Sequence, residues 1–119
     1  MKHLFVSFTI GKKLKSFGFY EPCMKGVKDD AEYTTCGFSL TNLGNTHDYT
    51  LPLYQQVTDW LREKHGIEVT QVPSIEIEKG WFQFDITRET PHVEYFVSKK
   101  YYYEAYEKAI LKAIKLIEK

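Results

Sequence analysis

The chain has 119 residues, 16 basic and 16 acidic side chains, and a formal net charge of zero. Its length suits one domain that buries a core without disulfides or metals, and 43% apolar with 27% charged residues excludes an intrinsically disordered chain. The balanced charge also excludes global electrostatic steering toward nucleic acid or anionic lipid, although it leaves local patches open.

The sequence pattern favours a cytoplasmic protein without membrane contact. Apolar runs fall far short of the ~20 residues that span a bilayer, and no series typical of a signal peptide begins the chain. Cys23 and Cys36 lack the CxxC spacing of zinc or redox sites. We therefore expect two free thiols in a reducing compartment, with a disulfide between them as the less favoured alternative.

The first fifty residues are predicted to be rich in strands. Every second side chain over residues 4–10 is apolar, which indicates a strand, and residues 16–20 are expected to return as its hairpin partner. A loop at 22–32, a strand at 33–40 and an exposed, turn-rich connection at 42–48 follow.

A helix is predicted at residues 52–65. Pro52 suits its first turn, where the missing N–H costs nothing, and Gly66 suits its C-terminal cap. His65 lies in the last turn, where the helix dipole favours a cation.

Three strand segments and a final helix complete the pattern. Alternation over residues 67–78, 82–86 and 93–97 predicts an antiparallel meander with one buried face and a turn at 79–80. Apolar residues recur every three or four positions over 100–118, opposite a charged face. This spacing predicts an amphipathic helix that packs on the strands.

Together these elements predict an α+β protein. We expect an antiparallel or mixed sheet of five or six strands, with two helices at about 52–65 and 100–118 packed on one of its faces. One domain, 1–119, would combine a strand-rich part, 1–50, with a helix–meander–helix part, 51–119.

Three stretches in the second part carry a family resemblance: LPLYQQVTDWLREKHGI, KGWFQFDI and YYYEAYEKAILKAIKLIEK. They resemble small uncharacterised proteins of gut anaerobes and of their phages and mobile elements, over about residues 51–119. The matching side chains are Pro52, Tyr54, Gln55, Gln56, Asp59, Trp60, Arg62, Glu63, Lys64, His65, Trp81, Tyr103 and Ala105. The resemblance implies the helix–meander–helix order and a mobile-element origin, and it implies no activity or catalytic residue.

Lys12, Lys13 and Lys15 form a basic cluster next to Phe17 and Phe19. Exposed aromatic rings beside lysines can stack bases and bind phosphates, so the three lysines are candidate nucleic-acid contacts. An RNA-recognition motif is excluded, because that fold needs a helix and a strand where only about ten residues are present. Nucleic acid is therefore the less favoured partner.

No catalytic or metal motif stands out. The four histidines form no HxH or HxxxH pair, and the chain has neither a glycine-rich phosphate loop nor a GxSxG elbow. His47 and Asp48 are the candidate contacts for a small ligand, against the simpler interpretation of a solvated turn. An enzyme is not favoured, and no catalytic residue, metal ligand or cofactor is assigned.

The last helix carries side chains outside its predicted buried face. Tyr101 and Tyr103 flank that face, and Leu111 lies among charged residues. Tyrosine suits interfaces because its ring is apolar and its hydroxyl polar, so these three are the candidate interface of a homodimer or of a contact with another protein. The leading hypothesis is a small non-enzymatic protein-interaction module. Nucleic-acid binding through the N-terminal hairpin comes second, and small-molecule binding near residues 42–50 third.

Overall fold

The computed structural model describes residues 4–35, 37–44, 47–72, 82–89 and 92–117. Within these ranges the protein is α+β, as predicted, with three helices and six strands. None of these helices has both the length and the apolar composition needed to cross a membrane. The chain divides into two compact units, Met1–Val57 and Thr58–Lys119, and the expectation of one domain stays a prediction.

The first unit contains a helix, α1 (Phe8–Ser16). Ser7 caps its N-terminus, because the Ser7 hydroxyl accepts a hydrogen bond from the Ile10 N–H (3.4 Å). Gly18, in the left-handed region (φ 85°), follows its C-terminal end. The buried side of α1 consists of Ile10, Gly11 and Leu14.

Three short strands complete the first unit: β1 (Lys25–Lys28), β2 (Ala31–Thr34) and β3 (Tyr49–Leu51). They form an antiparallel sheet in the order β2-β1-β3, and α1 packs on β3. Asp29 and Asp30 connect β1 to β2, and both have positive φ (54° and 64°). A two-residue hairpin turn of type I′ requires this conformation.

The hairpin predicted from residues 4–10 and 16–20 is wrong, because α1 occupies most of this segment. Val6, Ile10 and Leu14 are buried at a spacing of four residues. This spacing is compatible with one face of a helix and also with one face of a strand. The predicted loop at 22–32 is also wrong in part, since it contains β1 and the start of β2. The strand predicted at 33–40 is shorter, because β2 ends at Thr34.

The helix–meander–helix prediction is confirmed for the described residues. Helix α2 (Tyr54–His65) is followed by β4 (Ile67–Val72), β5 (Phe82–Glu89), β6 (His92–Lys99) and α3 (Tyr102–Ile117). The three strands form an antiparallel sheet in the order β4-β5-β6. The turn predicted at 79–80 lies outside the described residues.

Helix α3 packs on the β4-β5-β6 sheet. Phe84 of β5 stacks on Tyr106 with ring centroids 4.7 Å apart, and the Arg88 guanidinium donates a hydrogen bond to the Leu116 carbonyl (3.2 Å). These contacts hold α3 alongside the strands. The buried residues of α3 are Ala105, Ala109, Ile110, Ala113 and Ile114.

The prediction of one sheet with five or six strands is corrected: the six described strands divide into two three-stranded sheets. Strands β1, β2 and β3 have only three or four residues each. They are short because residues that were predicted to extend them form helix α1 and turns instead. Packing of α2 on the same sheet face as α3 stays a prediction.

Candidate interaction surface

Strand β6 carries two exposed aromatic side chains of the second unit's sheet. Strand β6 is eight residues long and pairs with β5 on one side only, as far as the described residues show. Tyr95 and Phe96, adjacent on this strand, are 40% and 63% exposed. An edge strand presents unpaired N–H and C=O groups that a further strand can pair with.

The two aromatic side chains lie on opposite faces of the sheet. Tyr95 is paired across the ladder with Ile86, which is buried, whereas Phe96 is paired with Asp85. Because successive side chains of a strand alternate between faces, Tyr95 lies on the face that α3 covers and Phe96 lies on the other. The edge of β6 therefore offers an aromatic contact on each face.

A groove, here called the lysine groove, runs between β6 and α3 and has a volume of about 520 Å³. Val97 and Leu111 supply its apolar side chains. Lys108, Lys112 and Lys115 recur at four- and three-residue spacing, which places them along one side of α3. The full lining is Val97, Ser98, Lys99, Lys108, Leu111, Lys112 and Lys115.

The charge of the lysine groove is only partly compensated. No carboxylate in the described part of the chain forms an ion pair with Lys99, Lys108 or Lys115. Glu104 lies one turn before Lys108, and Glu107 lies one turn before Leu111. The Lys112 ammonium lies over the Tyr95 ring, 4.3 Å from its centroid, at a distance typical of a cation–π contact. The groove therefore presents a local positive surface on a chain of zero net charge.

Of the three predicted interface residues, Tyr103 and Leu111 lie on α3 and Tyr101 immediately precedes it. Leu111 lines the lysine groove and is half-buried. Tyr103 packs edge-on against Tyr102 with centroids 4.8 Å apart, and lies about 12 Å from Leu111 along the helix axis. Tyr101 is 65% exposed, with the Lys100 ammonium 5.8 Å from its ring centroid. Neither tyrosine lines the groove.

The predicted nucleic-acid contacts lie on α1 rather than on a hairpin. The Lys15 ammonium donates a hydrogen bond to the Asp48 carbonyl (2.5 Å), and the Lys12 ammonium lies 6.0 Å from the centroid of the Tyr49 ring. Lys13 is half-buried. The contacts of the Lys12 and Lys15 ammonium groups within the first unit reduce what these two cations offer to phosphates.

His47 and Asp48, the predicted ligand loop, hold the first unit together. His47 is 5% exposed, and its Nε2 lies 2.7 Å from the Thr41 carbonyl. The Asp48 N–H donates to the Val27 carbonyl (2.7 Å), and the Asp48 carboxylate accepts the Asp29 N–H (3.0 Å). His47 is buried, whereas Asp48 is exposed and contacts the Asp29 N–H. The ligand loop and the solvated turn both stay predictions.

Groups suited to catalysis are scarce among the residues described. Cys23 is fully buried, and burial raises the pKa of its thiol, which disfavours the nucleophilic thiolate. No three His, Cys, Asp or Glu side chains in the described ranges are grouped so that they could hold a metal ion.

The groove itself was not predicted from the sequence, although part of its signal was present. Leu111 among lysines at helical spacing was visible, but Val97 and Lys99 become its neighbours only when β6 and α3 pack together. The last strand of a meander is a natural edge, and this rule indicates Tyr95 and Phe96 as exposed candidates.

No family model, curated protein or solved structure matches the chain. The resemblance of residues 51–119 to small proteins of gut anaerobes and their phages is thereby neither supported nor contradicted, and it stays a prediction.

Proposed function

We propose that this protein is a non-enzymatic interaction module that binds an extended segment of another protein along the outer edge of β6. One observation carries the proposal: within the described residues, the eight-residue β6 pairs on one side only and has an exposed aromatic side chain on each face. In strand addition, main-chain hydrogen bonds supply affinity and alternate side chains supply specificity.

A second copy of this chain, bound through Leu111, is the alternative occupant of this surface. A symmetric dimer places the same patch of both copies in contact, so the lysines around Leu111 would face the lysines of the second copy. Coulomb repulsion between them opposes this arrangement at low salt. The charge of the lysine groove favours a different protein over a second copy.

Peptides selected from a displayed random library against the whole chain would test the proposal. In a paired strand only every second N–H points toward the neighbour. N-methylation of alternate residues in one phase of a selected peptide should therefore abolish binding, whereas methylation in the other phase should leave it intact. Equal tolerance of both phases would contradict strand addition.

A pair of matched variants would locate the site. Phe96→Ser removes an exposed ring from β6, and Leu43→Ser removes an exposed side chain, 74% accessible, from the first unit. We expect Phe96→Ser to weaken binding of the selected peptides about tenfold, as truncation of an interface aromatic commonly does, and Leu43→Ser to leave it unchanged. The opposite ranking would move the site away from β6.

A further inference from the structure

We infer that the segment bound at β6 is acidic, with carboxylates on alternate residues that reach the lysine groove. This inference rests on the proposed function and adds the chemical class of the partner. Its starting point is that the groove lies on the α3 side of the same strand edge, since Val97 of β6 lines it and is paired with the buried Phe84.

The geometry of a strand places every second side chain of an added segment over this groove. Side chains on one face of a strand repeat every two residues, so a segment that alternates acidic and apolar residues directs its carboxylates to one face. On the α3 face these carboxylates meet four lysines: Lys99, Lys108, Lys112 and Lys115. On the other face its apolar side chains lie beside Phe96.

Electrostatic interactions with the lysine groove favour an acidic segment over the other candidate partners. A basic segment or a second copy of this chain brings like charges together, whereas an acidic segment supplies partners for lysines that have none among the described carboxylates. The net charge of the chain is zero, so the attraction is local, and at physiological ionic strength it is largely screened beyond about 8 Å. Recognition should therefore depend on salt and on the position of the carboxylates.

A peptide fits this surface better than a nucleic acid does. Val97 and Leu111 are apolar and offer phosphates no polar contact. The face of the Tyr95 ring is covered by the Lys112 ammonium, which leaves it poorly placed to stack a base. The apolar side chains and the unpaired main chain are instead what an extended polypeptide uses.

The test is calorimetric titration of the whole chain with three capped peptides of equal length that alternate valine with glutamate, glutamine or lysine. We expect the glutamate peptide to bind about tenfold or more tightly than the glutamine peptide, because several partly exposed ion pairs together reach the free energy of a tenfold change. The lysine peptide should bind least. Raising the salt should reduce this preference.

A charge-matched pair of double variants would place the effect. Lys108→Gln with Lys115→Gln removes two charges from the lysine groove, and Lys28→Gln with Lys64→Gln removes two exposed charges elsewhere. Only the first pair should reduce the preference for glutamate, with unchanged circular dichroism in both. An equal effect of the two pairs would overturn the assignment to the groove.

The remaining outcomes distinguish this inference from the proposed function. If the glutamate and glutamine peptides bind equally, and N-methylation abolishes binding in one phase but not in the other, the acidic partner is overturned and strand addition is kept. No binding of the glutamate peptide would also overturn the inference, while the library selection decides strand addition separately. Tighter binding of oligodeoxythymidylate, lost in the groove double variant, would overturn the peptide in favour of nucleic acid.

Discussion

Asn42 is a buried polar side chain whose two hydrogen bonds connect separate segments of the first unit. Its amide donates to the Phe19 carbonyl (2.7 Å), and its carbonyl accepts the Thr50 N–H (2.9 Å). The residue is 5% exposed, so water cannot readily replace it. We expect Asn42→Ala to lower the free energy of unfolding by about 3 kcal/mol, because it leaves two buried groups without partners.

Urea unfolding of Asn42→Ala beside Leu43→Ala would check this value. Leu43 is adjacent and mostly exposed, and its truncation should change the free energy of unfolding by less than about 0.5 kcal/mol. Similar losses in the two variants would show that Asn42 is not the connecting group.

His65 behaves differently from the cation that its position at a helix end suggested. Its ring packs edge-on against Trp60, with centroids 4.6 Å apart, and burial lowers the pKa of His65 below its ordinary value of 6.5. The unfolded chain then binds a proton more readily than the folded chain. The contribution of His65 to stability is complete above about pH 6.5 and is lost as the pH falls through the lowered, folded-state pKa.

We therefore expect acidification from about pH 7 to about pH 5 to destabilise the wild type more than His65→Gln. Urea unfolding at both pH values would measure the difference. His92→Gln, at an exposed site, serves as the control and should retain the wild-type dependence. A His65→Gln variant as pH-sensitive as the wild type would contradict the assignment.

At the scale of elements, α1 and β3 approach closely at Gly11. A Cβ added there would lie 2.7 Å from a Leu51 side-chain carbon and 3.0 Å from the Thr50 carbonyl oxygen. Alanine usually stabilises a helix by about 1 kcal/mol relative to glycine. Here we expect Gly11→Ala to destabilise by about 1–3 kcal/mol, because the buried Leu51 side chain and the Thr50 carbonyl must shift to admit the methyl group.

Thr9→Ala is the matched control for this prediction, since Thr9 is exposed on the same helix and alanine is the better helix former. Thermal unfolding should show a lower midpoint for Gly11→Ala and an unchanged or higher one for Thr9→Ala. A stabilised Gly11→Ala variant would mean that α1 and β3 are not in close contact.

The docking of α3 on its sheet depends on aromatic contacts as well as on the alanine and isoleucine stripe. Phe84 stacks on Tyr106 with an interplanar angle of 22°. A double-mutant cycle of Phe84→Leu and Tyr106→Leu should give a coupling free energy of about 0.5–1.5 kcal/mol. Tyr106→Phe would separate the contribution of the hydroxyl, which hydrogen-bonds Thr58.

Thr87→Ala replaces Phe84→Leu in the control cycle. Thr87 follows Ile86 on β5 and so lies on the opposite sheet face from α3. Its coupling to Tyr106 should be close to zero. Equal coupling in both cycles would indicate a general loss of structure rather than a ring contact.

At the scale of the whole molecule, the lysine groove bears on the oligomeric state. Two copies joined through Leu111 would oppose their lysines, so we expect a monomer at low salt and any association to increase with salt as repulsion is screened. Light scattering of the untagged chain at low and moderate salt would measure this. A dimer that is equally stable at low salt would place the homodimer contact away from the groove.

Half of the chain could be predicted from local patterns because its elements are long and regular. The twelve-residue α2, the meander and the sixteen-residue α3 carry several full periods of apolar spacing, and only one secondary structure matches each. The segment 4–20 carries too few periods. Its apolar residues fit either period, and the burial of the adjacent Ile10 and Gly11 together with Leu14 matches the helix rather than alternation.

Part of the candidate surface could likewise be predicted from the sequence, and part required the tertiary structure. Composition and spacing were sufficient for the α+β class, for the lysines and Leu111 on one side of α3, and for the order of the meander. Only the tertiary structure joined Val97 and Lys99 to Lys108, Lys112 and Lys115, left Phe96 exposed on β6, and buried His47 beside the Thr41 carbonyl. The physical reason is range: a hydrophobic period describes neighbours along one element, whereas a groove, an edge and a buried polar contact depend on which distant segments pack together.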